Sequence, residues 1–250
     1  MPDLPSPPVL ETPDLPDARV LFLCAKTGHG KTATSLCRAA LFPRVLMVDS
    51  KARYTGRGEY PGLVATSGRE LEELLREFQG RPRWRIAYRG PVMVPVNPGK
   101  PDGEKTGEAF FRRVSRIPNF LLVLEEAQNY MTASTMPEGL WKMTLEGRTL
   151  GQALTICSQR PALVARDLTA NADQIIAWPG IEPNDQKVLE ARGFDPALMA
   201  SLKGHNSLRL SAPEGGERNF YLCRCDFPHA GTCGEPLPKP PVKFPGGGEA

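Results

Sequence analysis

The apolar run Val20-Leu21-Phe22-Leu23-Cys24 leads directly into Ala25-Lys26-Thr27-Gly28-His29-Gly30-Lys31-Thr32, and few segments restrict a chain so tightly. The octapeptide matches the phosphate-binding Walker A pattern at every fixed position but one, with Ala25 where the first glycine usually stands. The pattern requires a buried strand, a tight turn and a helix beginning near Lys31. In that arrangement, backbone N–H groups of Lys26, Thr27, Gly28, His29 and Gly30 converge on phosphate oxygens, and the helix N-terminus adds positive potential. Lys31 reaches toward the β- and γ-phosphates, and the Thr32 hydroxyl holds Mg²⁺. Ala25 is compatible with the turn provided that its φ stays negative.

Strands and helices alternate downstream. A helix is expected from about Lys31 to Leu41, a strand at Arg44–Asp49, and a helix carrying Leu71, Leu74, Leu75 and Phe78 on one face. Trp84–Tyr88 reads as a strand, Gly107–Arg116 as a helix and Phe120–Leu124 as a buried strand. A helix from Pro137 to Leu150 follows, and strands at Ala153–Ser158 and Gln174–Trp178 complete the core set. Near-continuous apolar strands separated by helices predict an α/β fold, a mostly parallel sheet with helices on both faces. Ligands of such sheets bind beyond the carboxyl ends of the strands, where the first turn sits.

With 250 residues the chain can bury one sizeable core. Its formal net charge of +3 permits contact with nucleic acid through a local patch without arguing for it. No apolar stretch is long enough to span a bilayer, and the acidic, proline-rich start is neither a signal nor a transit peptide. A cytoplasmic, reducing setting follows, so the six cysteines are not read as disulfides. Residues 1–17 and 236–250 have the composition of extended or solvated tails, which could serve as docking arms. Between them, 18–205 is expected to hold the main domain and 206–235 a β extension.

The second chemical signal is Leu122-Val123-Leu124-Glu125-Glu126-Ala127-Gln128-Asn129-Tyr130, an apolar strand ending in two acids. This is the Walker B form with Glu125 in place of the usual Asp. Glu125 would orient Mg²⁺ through water, and Glu126 would polarise the attacking water. A solvated acidic helix start, favourable to the helix dipole, is the competing reading. Near the C-terminus Cys223, Cys225, His229 and Cys233 form a Cys-x-Cys-x₃-His-x₃-Cys cluster of candidate Zn²⁺ ligands, incidental thiols being the alternative.

Thr27–Thr32, Leu124–Asn129, Leu145-Glu146-Gly147-Arg148 and Cys157-Ser158-Gln159-Arg160-Pro161 resemble, in order, the marks of the FtsK–HerA superfamily of ring-forming, DNA-pumping ATPases. Asn171–Ile176 and Pro183-Asn184-Asp185 are similar to its HerA branch, so the resemblance covers roughly residues 18–192. It implies a RecA/ASCE-like P-loop NTPase fold, ATP and Mg²⁺ as cofactors, and a homo-oligomeric ring, expected to be a hexamer, acting on double-stranded DNA. It further implies that Gln159 senses the γ-phosphate, that Arg148 enters the neighbouring subunit's site, and that Asp49 is an acid beside the site. Arg160 and Arg166 are rivals for the role of Arg148. Gln159 could equally cap the next turn, and Asp49 could be a plain strand-end acid.

The segment before residue 18 leaves no room for the N-terminal β-barrel of full-length HerA, and no large lid follows. That economy resembles the genome-packaging ATPases of membrane-containing, double-jelly-roll viruses. A viral packaging motor in the host cytoplasm or on the virion is therefore the leading expectation, its tails meeting a capsid vertex or membrane-associated partner. A cellular HerA-like translocase or helicase is one alternative. Lys26, five residues before Lys31, keeps a ParA/MinD-like dimeric nucleotide switch as another, and a filamentous-phage assembly ATPase is a third. Lys51, Arg53 and Arg57, and Arg81, Arg83, Arg85 and Arg89 around Trp84, are the basic groups that could track DNA phosphates.

Overall fold

The computed structural model describes residues 18–49, 51–52, 62–78, 80–95, 105–212, 218–223 and 235–236. In chain order these form β1 (Val20–Cys24), α1 (Lys31–Ala40), β2 (Arg44–Val48), β3 (Leu63–Ala65), α2 (Gly68–Phe78) and β4 (Trp84–Tyr88). A two-residue hairpin, β5 (Val94–Pro95) and β6 (Lys105–Thr106), precedes α3 (Glu108–Val114), β7 (Leu121–Leu124), α4 (Glu138–Glu146) and β8 (Ala153–Ser158). The chain continues through α5 (Arg166–Ala170), β9 (Gln174–Ala177), α6 (Pro183–Glu190), α7 (Pro196–Ser201), β10 (Ser207–Ser211), β11 (Asn219–Cys223) and β12 (Glu235–Pro236).

One ten-stranded sheet carries the fold, in the order β12-β11-β10-β9-β1-β8-β7-β2-β4-β3. From β9 to β3 every pairing is parallel. β10, β11 and β12 then extend the sheet antiparallel. All residues of β1, β7 and β8 are buried, which is why β1 and β7 are continuously apolar rather than alternating and β8 departs only at Thr155 and Ser158. Their alternate side chains feed two layers. Val20, Phe22, Leu122, Leu124, Leu154 and Ile156 pack with residues of α2 to α7 on one face. Ala39 and Leu36 of α1 cover Val45, Met47, Leu121 and Val123 on the other. Where α3 and α4 cross, Gly139 lets the backbones touch, since a Cβ there would lie 2.2 Å from the Phe111 carbonyl.

Three differences from the sequence expectation have physical causes. The expected helix Pro137–Leu150 ends at Glu146 and tightens into a 3₁₀ turn over Gly147–Leu150. The Arg19 guanidinium donates to the carbonyls of Met143, at 2.5 Å, and Thr144, the acceptors that a continuing α-helix would need. β3 was not expected; its Leu63 and Val64 are exposed on an edge strand of only three residues. The strand at Gln174 stops at Ala177 and is followed in the same sheet by β10 and β11. Among the described residues no helix is long and apolar enough to cross a membrane.

Candidate active site

Parallel strands of one sheet deliver their carboxyl ends to one pole, and here that pole collects the predicted chemistry. The register aligns Cys24 with Ser158 and Leu124 with Ile156 and Val48. The residues just beyond β1, β8, β7 and β2 are therefore Ala25, Gln159, Glu125 and Asp49, in spatial order. The two strands bearing the glycine loop and the acidic pair are separated by β8 alone.

The loop from Ala25 to Gly30 turns through Gly28 at φ 91° and Gly30 at φ 103°. Gly30 is the N-cap of α1 in the left-handed region and offers no side-chain cap, so the helix N-terminus is left for an anion. Ala25 is fully buried and donates its N–H to Ser158 O at 3.3 Å. Its φ is not positive, so the geometry makes no demand for glycine there. Lys31 is buried, with Nζ donating to Ala25 O at 2.5 Å and Lys26 O at 3.0 Å. Burial holds its pKa below the usual lysine value, against the opposing pull of Cys157, Glu125 and Glu126. Thr32 is half-buried on the first turn of α1. Ser35, one turn on, donates to Lys31 O and meets Cys157 Sγ at 3.1 Å.

Glu125 and Glu126 are 6% and 4% exposed, so the solvated helix start does not hold. Glu126 has φ 53° and ψ 51°, a left-handed conformation that costs a non-glycine residue about 1–2 kcal/mol. Its Oε1 accepts from Lys51 Nζ at 2.6 Å and from Gln159 Nε2 at 2.5 Å, and its Oε2 accepts from Gln128 Nε2 at 2.6 Å. Burial pushes the Glu126 carboxyl up, but these bonds outweigh it and hold the group below the usual carboxylate range. Gln159 Oε1 in turn accepts from Thr27 Oγ1 at 3.1 Å. Gln128 Oε1 accepts from Ser158 Oγ at 2.7 Å, and Ser158 Oγ accepts from Arg160 N at 3.0 Å. A continuous chain of side-chain hydrogen bonds thus links the glycine loop, the end of β8 and Glu126.

Other predicted residues divide sharply. Asp49 is buried at the end of β2 and accepts from Arg89 Nε at 3.2 Å. His29 is half-buried in the loop; burial, then Lys31, His205 and Lys26, lower its pKa. Lys26 is exposed. Arg160 is held by buried Asp185, Nε to Oδ2 at 3.0 Å, and by Glu182, which binds it to α6 as a staple. Arg148 lies in the 3₁₀ turn before β8, at the opposite pole of the sheet from the glycine loop. It borders a groove of about 540 Å³ shared with Arg19, Asp173 and Arg218. Arg166 is exposed at the start of α5, beside Trp141.

Lys51 was expected to track DNA, and the structure instead places it on Glu126. The Trp84 cluster is also dispersed, since Arg81 and Arg83 precede β4 whereas Arg89 follows it and binds Asp49. Arg81 is occupied by Glu77 and stacks on Phe78 at 4.3 Å. Arg53 and Arg57 lie outside the described residues, as do the candidate zinc ligands Cys225, His229 and Cys233. Cys223, at the end of β11, is buried. Sequence reasoning missed Gln128 and Ser158, although both lie inside the motifs that it quoted.

No protein-family model matches the chain, and no curated protein matches its sequence. Solved structures do. The chain is similar to the genome packaging NTPase B204 from Sulfolobus turreted icosahedral virus 2 in complex with sulfate, at 14% identity and a TM-score of 0.60, covering 84% of this chain and 98% of that one. The AMPPCP complex of the same protein gives 15% identity, a TM-score of 0.59 and the same coverage. B204, the DNA-packaging ATPase from Sulfolobus turreted icosahedral virus, gives 14%, 0.53, 82% and 97%. The likeness establishes the fold, that of the P-loop NTPases, as the sequence resemblance implied.

Proposed function

We propose that the protein is an ATP-driven DNA-translocating motor of the viral genome-packaging kind. The observation that carries this reading is the convergence of Lys31, Glu125, Glu126 and Gln159 on one strand pole around the glycine loop. The similar B204 structures, described as genome-packaging NTPases and bound to AMPPCP or ATP-gammaS, support the same substrate and task.

In this reading the loop amides and Lys31 cradle the β- and γ-phosphates of ATP. The Thr32 hydroxyl and the buried Glu125 carboxylate, two hard oxygen donors at this pole, would hold Mg²⁺, Glu125 through water. That ion would neutralise phosphate charge and hold the triphosphate in line. Glu126 accepts a proton from the attacking water as its oxygen bonds the γ-phosphorus and the bond to the β-γ bridging oxygen breaks. Gln159, tied to both Thr27 and Glu126, is placed to report the γ-phosphate to the strand end. ADP and phosphate leave, and the proton passes to solvent.

Arg148 lies at the opposite pole of the sheet from its own glycine loop, which suits donation to a neighbour in a ring. Trp141, Leu145 and Leu150, on α4 and the following turn, are exposed apolar side chains, of the kind that subunit contacts cover. A homo-hexamer around double-stranded DNA is the assembly we infer, with residues 18–205 as the motor and 206–235 as its β extension. The tails would meet a capsid vertex or membrane-associated partner, in the host cytoplasm or on the virion. Steady-state ATP hydrolysis with and without duplex DNA tests this. Turnover should rise with DNA and vanish in Lys31→Ala and Glu126→Gln; equal turnover in those variants would remove the site assignment.

A further inference from the structure

The bonding of Glu126 is difficult to reconcile with a base ready to act. Three donors occupy its two oxygens, two of them on Oε1, and one of these is an ammonium. A carboxylate has about four acceptor sites in all. Water can still reach the open site on Oε2, but the 2.6 Å ion pair at Oε1 lowers the basicity of the whole carboxylate. Release of the ammonium would restore it.

The three donors differ in how easily they can leave. Gln128 is anchored at its other end by Ser158, which itself accepts from the Arg160 backbone. Gln159 is anchored by Thr27 of the glycine loop. Among the described residues, Lys51 Nζ bonds to Glu126 alone. Its side chain is 44% exposed while that of Glu126 is 5% exposed, so the lysine end of the pair can swing and the glutamate end cannot. Lys51 stands two residues past Asp49, in a turn closed by the Ala52 N–H bond to Asp49 O at 3.1 Å. That turn fixes the root of the side chain beside the strand pole while leaving the ammonium mobile.

A stronger anion nearby would draw it off. Glu126 and Gln159 are the only steps between Lys51 and Thr27 along the hydrogen-bonded chain. A terminal phosphate seated against Thr27 and Lys31 would carry more negative charge than one carboxylate, in a site whose buried walls weaken solvent screening. We propose that Lys51 is a γ-phosphate-sensing residue of this site, which neutralises Glu126 while no terminal phosphate is present and transfers to that phosphate when ATP binds, freeing Glu126 to take the proton of the attacking water. Lys51 stays protonated throughout and no covalent bond to it forms. The inference rests on the ATPase reading above and adds a regulatory step to it: a nucleoside diphosphate leaves the base held, and a triphosphate releases it.

The test compares affinity for AMPPCP and for ADP, together with kcat and KM for ATP, in wild type, Lys51→Met and Lys51→Arg. Losing a charged hydrogen bond to phosphate should weaken AMPPCP binding about 10- to 100-fold. ADP binding should change by less than about threefold, and kcat should fall more than KM rises. Lys51→Arg should restore a large part of both losses, since the charge is kept. If Lys51→Met leaves the AMPPCP-to-ADP affinity ratio and kcat unchanged, Lys51 is only a partner for Glu126 and the proposal fails. A kcat that rises in Lys51→Met would make the lysine purely a brake, which also overturns it. Lys51→Arg guards against a folding artefact, because a shared loss with no rescue in a folded arginine variant contradicts charge transfer to phosphate. Failure of wild type itself to bind either nucleotide would instead overturn the ATPase reading, and this inference with it.

Discussion

The two poles of the sheet are both rich in buried polar groups, yet they bond in opposite ways. At the amino pole, side chains bond to backbone. Arg38 donates to the carbonyls of Leu154 at 2.9 Å, Ala18 at 2.5 Å and Arg19 at 3.3 Å. Arg19 closes α4, Gln152 donates to Ser115 O and Ile117 O, and Asp173 accepts from Val20 N. At the carboxyl pole, Lys51, Glu126, Gln128, Gln159, Thr27 and Ser158 bond mainly to one another. A carbonyl fixed in a strand or helix cannot change partner without local unfolding, whereas two side chains can exchange partners by rotation. The amino pole is therefore fixed, and the carboxyl pole is free to rearrange, as the proposed catalytic role requires. Left-handed backbone occurs at both poles, at Glu126 and at Asn119 before β7, but asparagine adopts it readily and glutamate does not.

The contrast can be broken most directly at Lys31 and Glu126. Lys31→Met and Glu126→Gln should each lower ATP turnover by about 10²–10⁴-fold, a range typical of losing such a group. Neither should destabilise the nucleotide-free protein by more than about 1 kcal/mol in thermal melts. Lys31→Met should shift the melting temperature little, because the bonds lost to Ala25 O and Lys26 O are set against the desolvation of a buried ammonium in a loop open to solvent. A large stability loss in either would place structural weight at the carboxyl pole and dissolve the distinction.

Arg38→Met is the opposite case. Burial lowers the Arg38 pKa to about 9 even though Asp173 favours its charge, so its carbonyl bonds offset a real desolvation cost. Removing it strands those carbonyls and should cost about 2–4 kcal/mol in denaturant unfolding. Turnover per folded molecule should stay near wild type. Glu126→Gly sharpens the strain argument by a smaller margin. Relief of φ 53° should raise stability by up to about 1 kcal/mol while abolishing hydrolysis.

The smallest effect is in pH. Because the folded Glu126 carboxyl lies below its usual range, the stability that it gains from its partners is present above the unfolded value of about 4.3 and is lost as pH falls through the folded value. Half-exposed Lys51 screens the pair, so the difference between wild type and Glu126→Gln should stay under about 1 kcal/mol. It should be flat from pH 7 to about pH 5 and shrink below that, as measured by chemical denaturation.

Much of the candidate site was legible because it is local. Val20 to Thr32 states a strand, a turn and a helix within thirteen consecutive residues, and the structure supplies them at Val20–Cys24 and Lys31–Ala40. β7 was readable because a strand buried on both faces is apolar throughout, and β4 and β8 depart from that only at Arg85, Thr155 and Ser158. What was hidden depends on contacts distant in sequence. The end of α4 is set by Arg19, 124 residues upstream. Lys51 meets Glu126 across 75 residues, and only because β2 lies beside β7 in the sheet. No spacing in the sequence reports that adjacency, so Lys51 looked like one more surface cation. The left-handed φ of Glu126 has no signature either, since glutamate rarely adopts it.

The most direct test of the account is a subunit-mixing assay. Glu126→Gln supplies an intact Arg148 but no base, and Arg148→Ala supplies an intact base but no arginine. The account predicts that each alone is inactive with duplex DNA, that wild-type turnover climbs with protein concentration, and that the mixture regains activity where a normal base faces a normal Arg148. Concentration-independent turnover with Arg148→Ala as active as wild type would contradict it, leaving a nucleotide site complete within one chain.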